Sequence, residues 1–344
     1  MNNCDLFPWN HALWQRIQSM RGRMPHALLL YGRPGTGKLA FARTLTYSLL
    51  CESPETNGKA CGKCPSCGWL HQDNHPDFRL ICPEDPDDEN IEVVTDTAAQ
   101  STKNKKKSRH IVISQIRALD DMISLSTHRH GLRVVIVSPA EALNASAANA
   151  LLKVLEEPPP ATLFLLVTHQ VTRLLPTIRS RCLKIAMDTP SRLDAESWLI
   201  AQGIKNPESL LAFCGGAPLA ALELAEKSSR DRTEKFSDHL ENGGRIDPFG
   251  AAAYWDRGDF SEAVSSLQKW CCDLLSVRMA GRVRFYPLQS SSLQSIAKSV
   301  DLALLLGFQR ELHEARAQVL HPLNTELQLE SLLIRYARLF PGSA

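Results

Sequence analysis

Over the first 190 residues, apolar side chains gather in short unbroken runs; beyond that point they recur only at helical spacing. Residues 27–31, 78–82, 132–137, 162–168 and 182–186 form such runs, and their length and continuity predict buried strands. In 38–50, 114–125 and 144–157, by contrast, apolar positions return every third or fourth residue, as on a helix with one covered face. Strands alternating with helices in this way predict an α/β fold, a parallel sheet with helices on both faces. Within helix 144–157, Asn144 is placed to cap the N-terminus, and Pro158-Pro159-Pro160 stops the helix.

After Pro190 the pattern is helical throughout. Segments 191–202, 207–214 and 218–226 read as three short helices broken by Gly203 and by Gly215-Gly216, which predicts a small helical domain. Polar residues 228–244 read as a linker with helical parts, and 260–279, 292–306 and 325–340 carry helical periodicity. The expected domains are therefore 1–188, 189–228 and 229–344. Within the first, composition shifts abruptly over 83–110, where an acidic run (84–89) is followed by a basic one (103–109). It reads as a mobile surface insertion, and a solvated pair of charge runs is a simpler reading than a DNA contact. His128 and His130 lie in a polar turn with no third ligand nearby, which points to the surface rather than to a metal.

The chemistry concentrates between the first strand and the helix after it. Gly32-Arg33-Pro34-Gly35-Thr36-Gly37-Lys38 is a phosphate-binding loop in the strand–loop–helix setting it requires. Gly32, Gly35 and Gly37 let backbone N–H groups crowd around phosphate oxygens, Thr36 lies in the same cradle, and Lys38 reaches the terminal phosphates. The next residue should be Ser or Thr, to hold Mg²⁺, and is Leu39. A second loss matches the first: strand 132–137 ends in Ser138-Pro139, where a working ATPase carries an Asp for the metal and often a Glu for water. Two defects at the two metal-handling positions predict a degenerate site in which nucleotide binding is doubtful and hydrolysis inefficient.

The chain has 344 residues, 44% apolar and 22% charged, with a net charge of +2. This suits a multi-domain globular protein and gives no global case for nucleic-acid or membrane binding. An N-terminus without a basic start and apolar core, and runs too short to span a bilayer, make the cytoplasm the expected location. Ten cysteines would suggest disulfides in a secreted chain, but Cys51-x9-Cys61-x2-Cys64-x2-Cys67 has a spacing suited to four thiolates around one Zn²⁺. With four protein ligands such a zinc is structural, leaving no open coordination position. The other cysteines, Cys4, Cys82, Cys182, Cys214, Cys271 and Cys272, read as small buried hydrophobes.

Taken together, the loop at 32–39, the cysteine cluster after its helix, Asn149-Ala150-Leu151-Leu152-Lys153-Val154-Leu155-Glu156-Glu157-Pro158-Pro159, and Ile178-Arg179-Ser180-Arg181-Cys182 closely resemble bacterial DNA polymerase III clamp-loader subunits of the AAA+ family. His321-Pro322-Leu323-Asn324 resembles the family's C-terminal pattern. The resemblance implies an AAA+ module, a helical lid and a helical collar that joins a five-subunit ring. It also implies that Ser180-Arg181-Cys182 is the arginine-finger motif, with Arg181 reaching ATP held by a neighbouring subunit; read without it, Arg181 is an ordinary exposed arginine. Thr168 falls at the family's nucleotide-sensor position, and 215–218 lacks the lid arginine of active subunits. The implied role is a non-motor, stator-like subunit of the polymerase holoenzyme, not catalytic by itself. Its implied partners are motor subunits (gamma/tau), a delta subunit, the sliding clamp and primed DNA. An autonomous ATPase motor is the alternative that Lys38 allows and Leu39, Ser138 and Pro139 oppose. A zinc-dependent nucleic-acid-binding module is a second alternative, opposed by the lack of an adjacent basic and aromatic stripe.

Overall fold

The computed structural model describes residues 6–83, 110–124, 131–226, 229–253, 255, 260–317 and 325–340. Cys4, most of the 83–110 insertion, His128, His130 and 321–324 lie outside the described residues. The chain divides into two compact units, Met1–Thr189 and Pro190–Ala344.

In the first unit the strands are β1 (Ala27–Tyr31), β2 (Phe78–Ile81), β3 (Arg133–Val137), β4 (Thr162–Thr168) and β5 (Leu183–Ala186). They form one parallel sheet in the order β2-β3-β4-β1-β5. Between them come α1 (His11–Ser19), α2 (Lys38–Leu50), α3 (Pro65–His71), α4 (Ile113–Ser124), α5 (Ala145–Glu156) and α6 (Pro176–Arg181). The unbroken strand sequences are explained by two cores, one on each face. Leu28 and Leu30 of β1 point to a cluster with Trp14, Ile17, Phe41 and Leu45, while Ala27 and Leu29 point to Ile116, Leu119, Leu151 and Ile178. Successive side chains alternate faces, so a strand covered on both must be apolar at every position. Asn144 accepts a hydrogen bond from the Ala147 N–H at 2.8 Å and so starts α5 as its sequence predicts.

The second unit is helical among its described residues. Helices α7 (Arg192–Ala201), α8 (Pro207–Phe213) and α9 (Pro218–Glu226) share a core of Ala195, Leu199, Leu210, Leu211 and Ala221. A larger core belongs to α10 (Ser229–Leu240), α11 (Pro248–Ala252), α12 (Phe260–Ala280), α13 (Ser290–Ile296), α14 (Leu302–Ala317) and α15 (Thr325–Ala337). At its centre Trp270 Nε1 donates to Tyr336 Oη, which donates in turn to the Leu240 carbonyl, both at 2.8 Å. The buried Asp273 carboxylate accepts from the backbone N–H groups of Arg284, Phe285 and Tyr286 at 2.8–2.9 Å, pinning the chain after α12.

Three expectations are corrected. Most of the 228–244 linker is helix α10, whose buried residues Thr233, Phe236, Ser237 and Leu240 make a stripe too narrow and polar to stand out. The 292–306 segment is two helices, because Asp301 interrupts it: its N–H donates to the Leu339 carbonyl and its carboxylate caps the Leu304 N–H, each at 2.9 Å. Among the cysteines expected to be buried, Cys82 is exposed and Cys214 and Cys272 are half-buried. No single helix among the described residues is long and apolar enough to cross a membrane.

Candidate functional site: the phosphate loop and the zinc segment

Parallel strands aim their carboxyl ends at one edge of the sheet, and the predicted nucleotide residues collect there. Gly32 follows β1, Ser138 follows β3, and Thr168 ends β4, paired with Tyr31 across the β1–β4 register. A Cβ on Gly32 would collide with the Met187 carbonyl oxygen. Gly35 (φ 75°) and Gly37 (φ 87°) take the left-handed conformations that turn the loop into α2.

The loop's donors are turned inward. Lys38, only 3% exposed, donates its ammonium to the Arg33 carbonyl, and Thr36 Oγ1 donates to the same oxygen at 3.0 Å. Trp9 closes the loop from outside, its indole N–H donating to the Thr36 carbonyl at 3.0 Å. Burial lowers the Lys38 pKa to about 8, against an opposing pull from Glu141. Glu141 accepts the His169 N–H at 2.9 Å on one oxygen, while its other oxygen is buried without a hydrogen bond. Burial, then Lys38, lowers the His169 pKa. Leu39 stands 36% exposed where a metal-binding hydroxyl would be, and the Thr168 hydroxyl accepts the Gln170 N–H at 3.1 Å.

Arg181 ends α6 with its side chain 34% exposed. One guanidinium nitrogen donates to the Thr177 carbonyl at 3.1 Å, and another pairs with Glu156 at 2.6 Å. Glu156 comes from the end of α5, in the Leu-Glu-Glu-Pro-Pro stretch. Cys182 is buried in the sheet core, and Ser180 is exposed with its hydroxyl donating to the same Thr177 carbonyl.

All four predicted metal cysteines come together. The Sγ atoms of Cys51, Cys61, Cys64 and Cys67 lie within 4.8 Å of one another, with Cys51 3.5 Å from Cys61 and 3.9 Å from Cys64. Four thiolates at Zn–S ≈ 2.3 Å stand about 3.8 Å apart at the corners of a tetrahedron, so the donor set fits zinc. Backbone N–H groups of Lys63 and Cys64 point at Cys61 Sγ and bring its pKa down to about 6; burial pushes Cys67 up. The segment is tied to the sheet through α1 and α2, where Trp14 Nε1 donates to the Asn57 carbonyl at 3.1 Å and Ser48 donates to that of Gly58.

Sequence reasoning missed Trp9, Glu141 and Glu156. Glu156 stood within a quoted motif and Glu141 three residues after Ser138, but nothing along the chain says which charge each one meets.

A loop of this kind between β1 and α2, with β4 inserted between β1 and β3, defines a P-loop module of the AAA+ type, here degenerate at its metal positions. A family profile described as "DNA polymerase III, delta subunit" matches residues 10–191. "DNA polymerase III subunit delta'" of Pseudomonas aeruginosa is 33% identical over 98% of this chain and 99% of its own, and that of Yersinia pestis 31% identical over 96% and 95%. A DNA polymerase III, gamma subunit-related protein from Thermotoga maritima has a solved structure that aligns over 95% of this chain and 99% of its own, at 17% identity and a TM-score of 0.45. The chain belongs to the DNA polymerase III subunit delta' family.

Proposed function

We propose that this chain is the non-motor, stator-like subunit of a bacterial clamp loader. It supplies Arg181 in trans to ATP held by a neighbouring motor subunit (gamma/tau) and, with a delta subunit, helps the assembly place a sliding clamp on primed DNA. The observation that carries this reading is a divided active site. The chain's own metal-handling positions are Leu39 and Ser138-Pro139, yet an arginine, Arg181, is kept half-exposed at the end of α6, held by the Glu156 carboxylate and the Thr177 carbonyl. A planar guanidinium spreads positive charge over several donors and suits a transferring phosphoryl group. On this reading residues 189–228 are the lid and 229–344 the collar, which the separate cores of α7–α9 and α10–α15 support. Zinc on the four cysteines is structural, and the loop at Gly32, Gly35, Thr36, Gly37 and Lys38 does not turn over ATP.

The test uses complexes reconstituted with Arg181→Ala and Arg181→Lys, reading clamp- and DNA-stimulated ATPase and clamp loading. Trans-acting fingers are worth about 10³-fold or more at a single site. A smaller loss is expected for the whole complex, because other motor sites keep their own fingers. Lysine fares no better than alanine, since a point charge cannot reproduce the fork. Wild-type loading rates from both variants would remove Arg181 from the mechanism.

A further inference from the structure

Between Leu6 and His75 the chain carries eight basic side chains and three carboxylates, although its net charge over all 344 residues is only +2. The fold sorts these charges. Lys38 is buried in the phosphate loop, Arg43 pairs with Asp73 at 3.6 Å, and Glu52 accepts the Ser66 hydroxyl at 3.0 Å. Apart from Arg33 in the loop, what remains is Arg16, Arg21 and Arg23 on and just after α1, and Lys59 and Lys63 among the zinc cysteines, with Glu55 as the remaining carboxylate. These two groups of cations are far apart along the chain, and the fold joins them. Trp14 on α1 donates to the Asn57 carbonyl at 3.1 Å, and a Cβ on Gly58 would strike the Gln18 side chain. Arg21 donates to the Ser48 carbonyl at 2.8 Å, and the Ser48 hydroxyl donates to the carbonyl of Gly58, the residue before Lys59. Arg16, Arg23 and Lys63 are exposed and Lys59 is half-buried. Among the described residues none of these four forms an ion pair.

We propose that the face shared by α1 and the zinc segment binds the phosphate backbone of duplex DNA without reading its sequence. Arg16, Arg23, Lys59 and Lys63 supply the contacts, and Arg21, tied to the Ser48 carbonyl, fixes the chain that carries Arg23.

The composition of the face selects this partner over others that attract cations. Among the described residues from Leu6 to Leu174, Leu39 is the one large apolar side chain that stands exposed, and it belongs to the phosphate loop. A protein interface is anchored by apolar or aromatic groups that become buried, and a helix lying on a bilayer inserts an apolar face. Neither is present here. Unpaired bases call for exposed rings to stack on, yet Trp14 is buried and half-buried Trp69 packs edge-on against His75 at 5.8 Å. Point charges and guanidinium forks are left, and these are what phosphate oxygens take whatever the base sequence.

The experiment titrates the full-length protein into a fluorescent duplex of about 25 base pairs and mixed sequence, and follows anisotropy at several salt concentrations. Micromolar affinity is expected at about 50 mM salt, with log K falling against log salt at a slope of about −4, since each phosphate neutralised contributes about −0.9. Arg16→Ala combined with Arg23→Ala is expected to weaken binding more than about tenfold at low salt and to make the slope shallower by about 2. Lys59→Ala combined with Lys63→Ala is expected to do the same. The arginine pair lies outside the zinc segment, so its effect does not pass through lost metal. Alanine at Lys103, Lys105, Lys106 and Lys107, the separate basic run, is expected to leave the affinity within about twofold, because the surface charge that counts is on α1 and the zinc segment. No binding at about 50 mM salt, wild-type affinity in the arginine pair, or an affinity carried by the 103–107 run would each overturn the proposal.

Discussion

Arg181 and Glu156 meet at 2.6 Å with about half of the carboxylate side chain exposed, so their pairing adds little to stability. On the proposed reading its use is positional. Glu156→Gln should change the denaturation midpoint by less than about 0.5 kcal/mol and yet lower stimulated ATPase in reconstituted complexes severalfold, because the guanidinium loses its restraint. Equal activity at equal stability would mean that the carboxylate positions nothing. Lys38 offers a pH test. Its folded pKa of about 8 lies below the ordinary lysine value of 10.5, so the unfolded chain binds more protons between those limits. Stability from this group is therefore complete above pH 10.5 and lost as pH falls through 8. Lys38→Met should make the protein more stable at pH 7 by about 1–2 kcal/mol and flatten the pH dependence between 8 and 10, as urea titrations at several pH values would reveal. An unchanged slope would show that the amine is solvated.

Among elements, the four-cysteine segment is the one that a bound metal ion would stabilise most. Its backbone lacks strands, and its long loop between α2 and α3 is held by Trp14, Ser48 and the cysteine cluster. Cys64→Ser leaves three ligands and should lower zinc content and melting temperature together, with faster amide exchange confined to about residues 51–71, since metal binding energy is folding energy in such sites. Freshly purified protein without zinc would remove this reading. In the second unit, Asp273→Ala would take the buried acceptor from three backbone N–H groups, those of exposed Arg284, half-buried Phe285 and buried Tyr286. A loss of about 3–5 kcal/mol is expected, measurable by chemical denaturation; a loss below 1 kcal/mol would mean that water replaces the carboxylate. The elements legible in sequence were those with a single strong signal. Unbroken apolar runs marked β1 and β4 at their observed limits, and Asn144 with three prolines bounded α5. Helix α10 and the break before α14 were not legible, because tertiary contacts of Phe236 and Asp301 decide them.

For the whole molecule, the purified chain should hydrolyse ATP no faster than background, and Leu39→Thr alone should not rescue it while Ser138 and Pro139 remain. Turnover above about 0.1 per second, already slow for an enzyme, would contradict this. The degenerate loop and the four cysteines could be found by eye because their chemistry lies in contiguous or closely spaced residues. Glu141 near Lys38 and Glu156 beside Arg181 could not, because each joins positions that only the fold brings near. Gly32 carries a different lesson. Its hydrogen faces the Met187 carbonyl, so a side chain there is barred by the neighbouring backbone whether or not phosphate ever binds. Selection for packing can therefore preserve a nucleotide signature long after turnover has gone. Gly32→Ala would be a poor loss-of-binding control, and a census of ATPases that counts glycine-rich loops will include chains that have never spent a nucleotide.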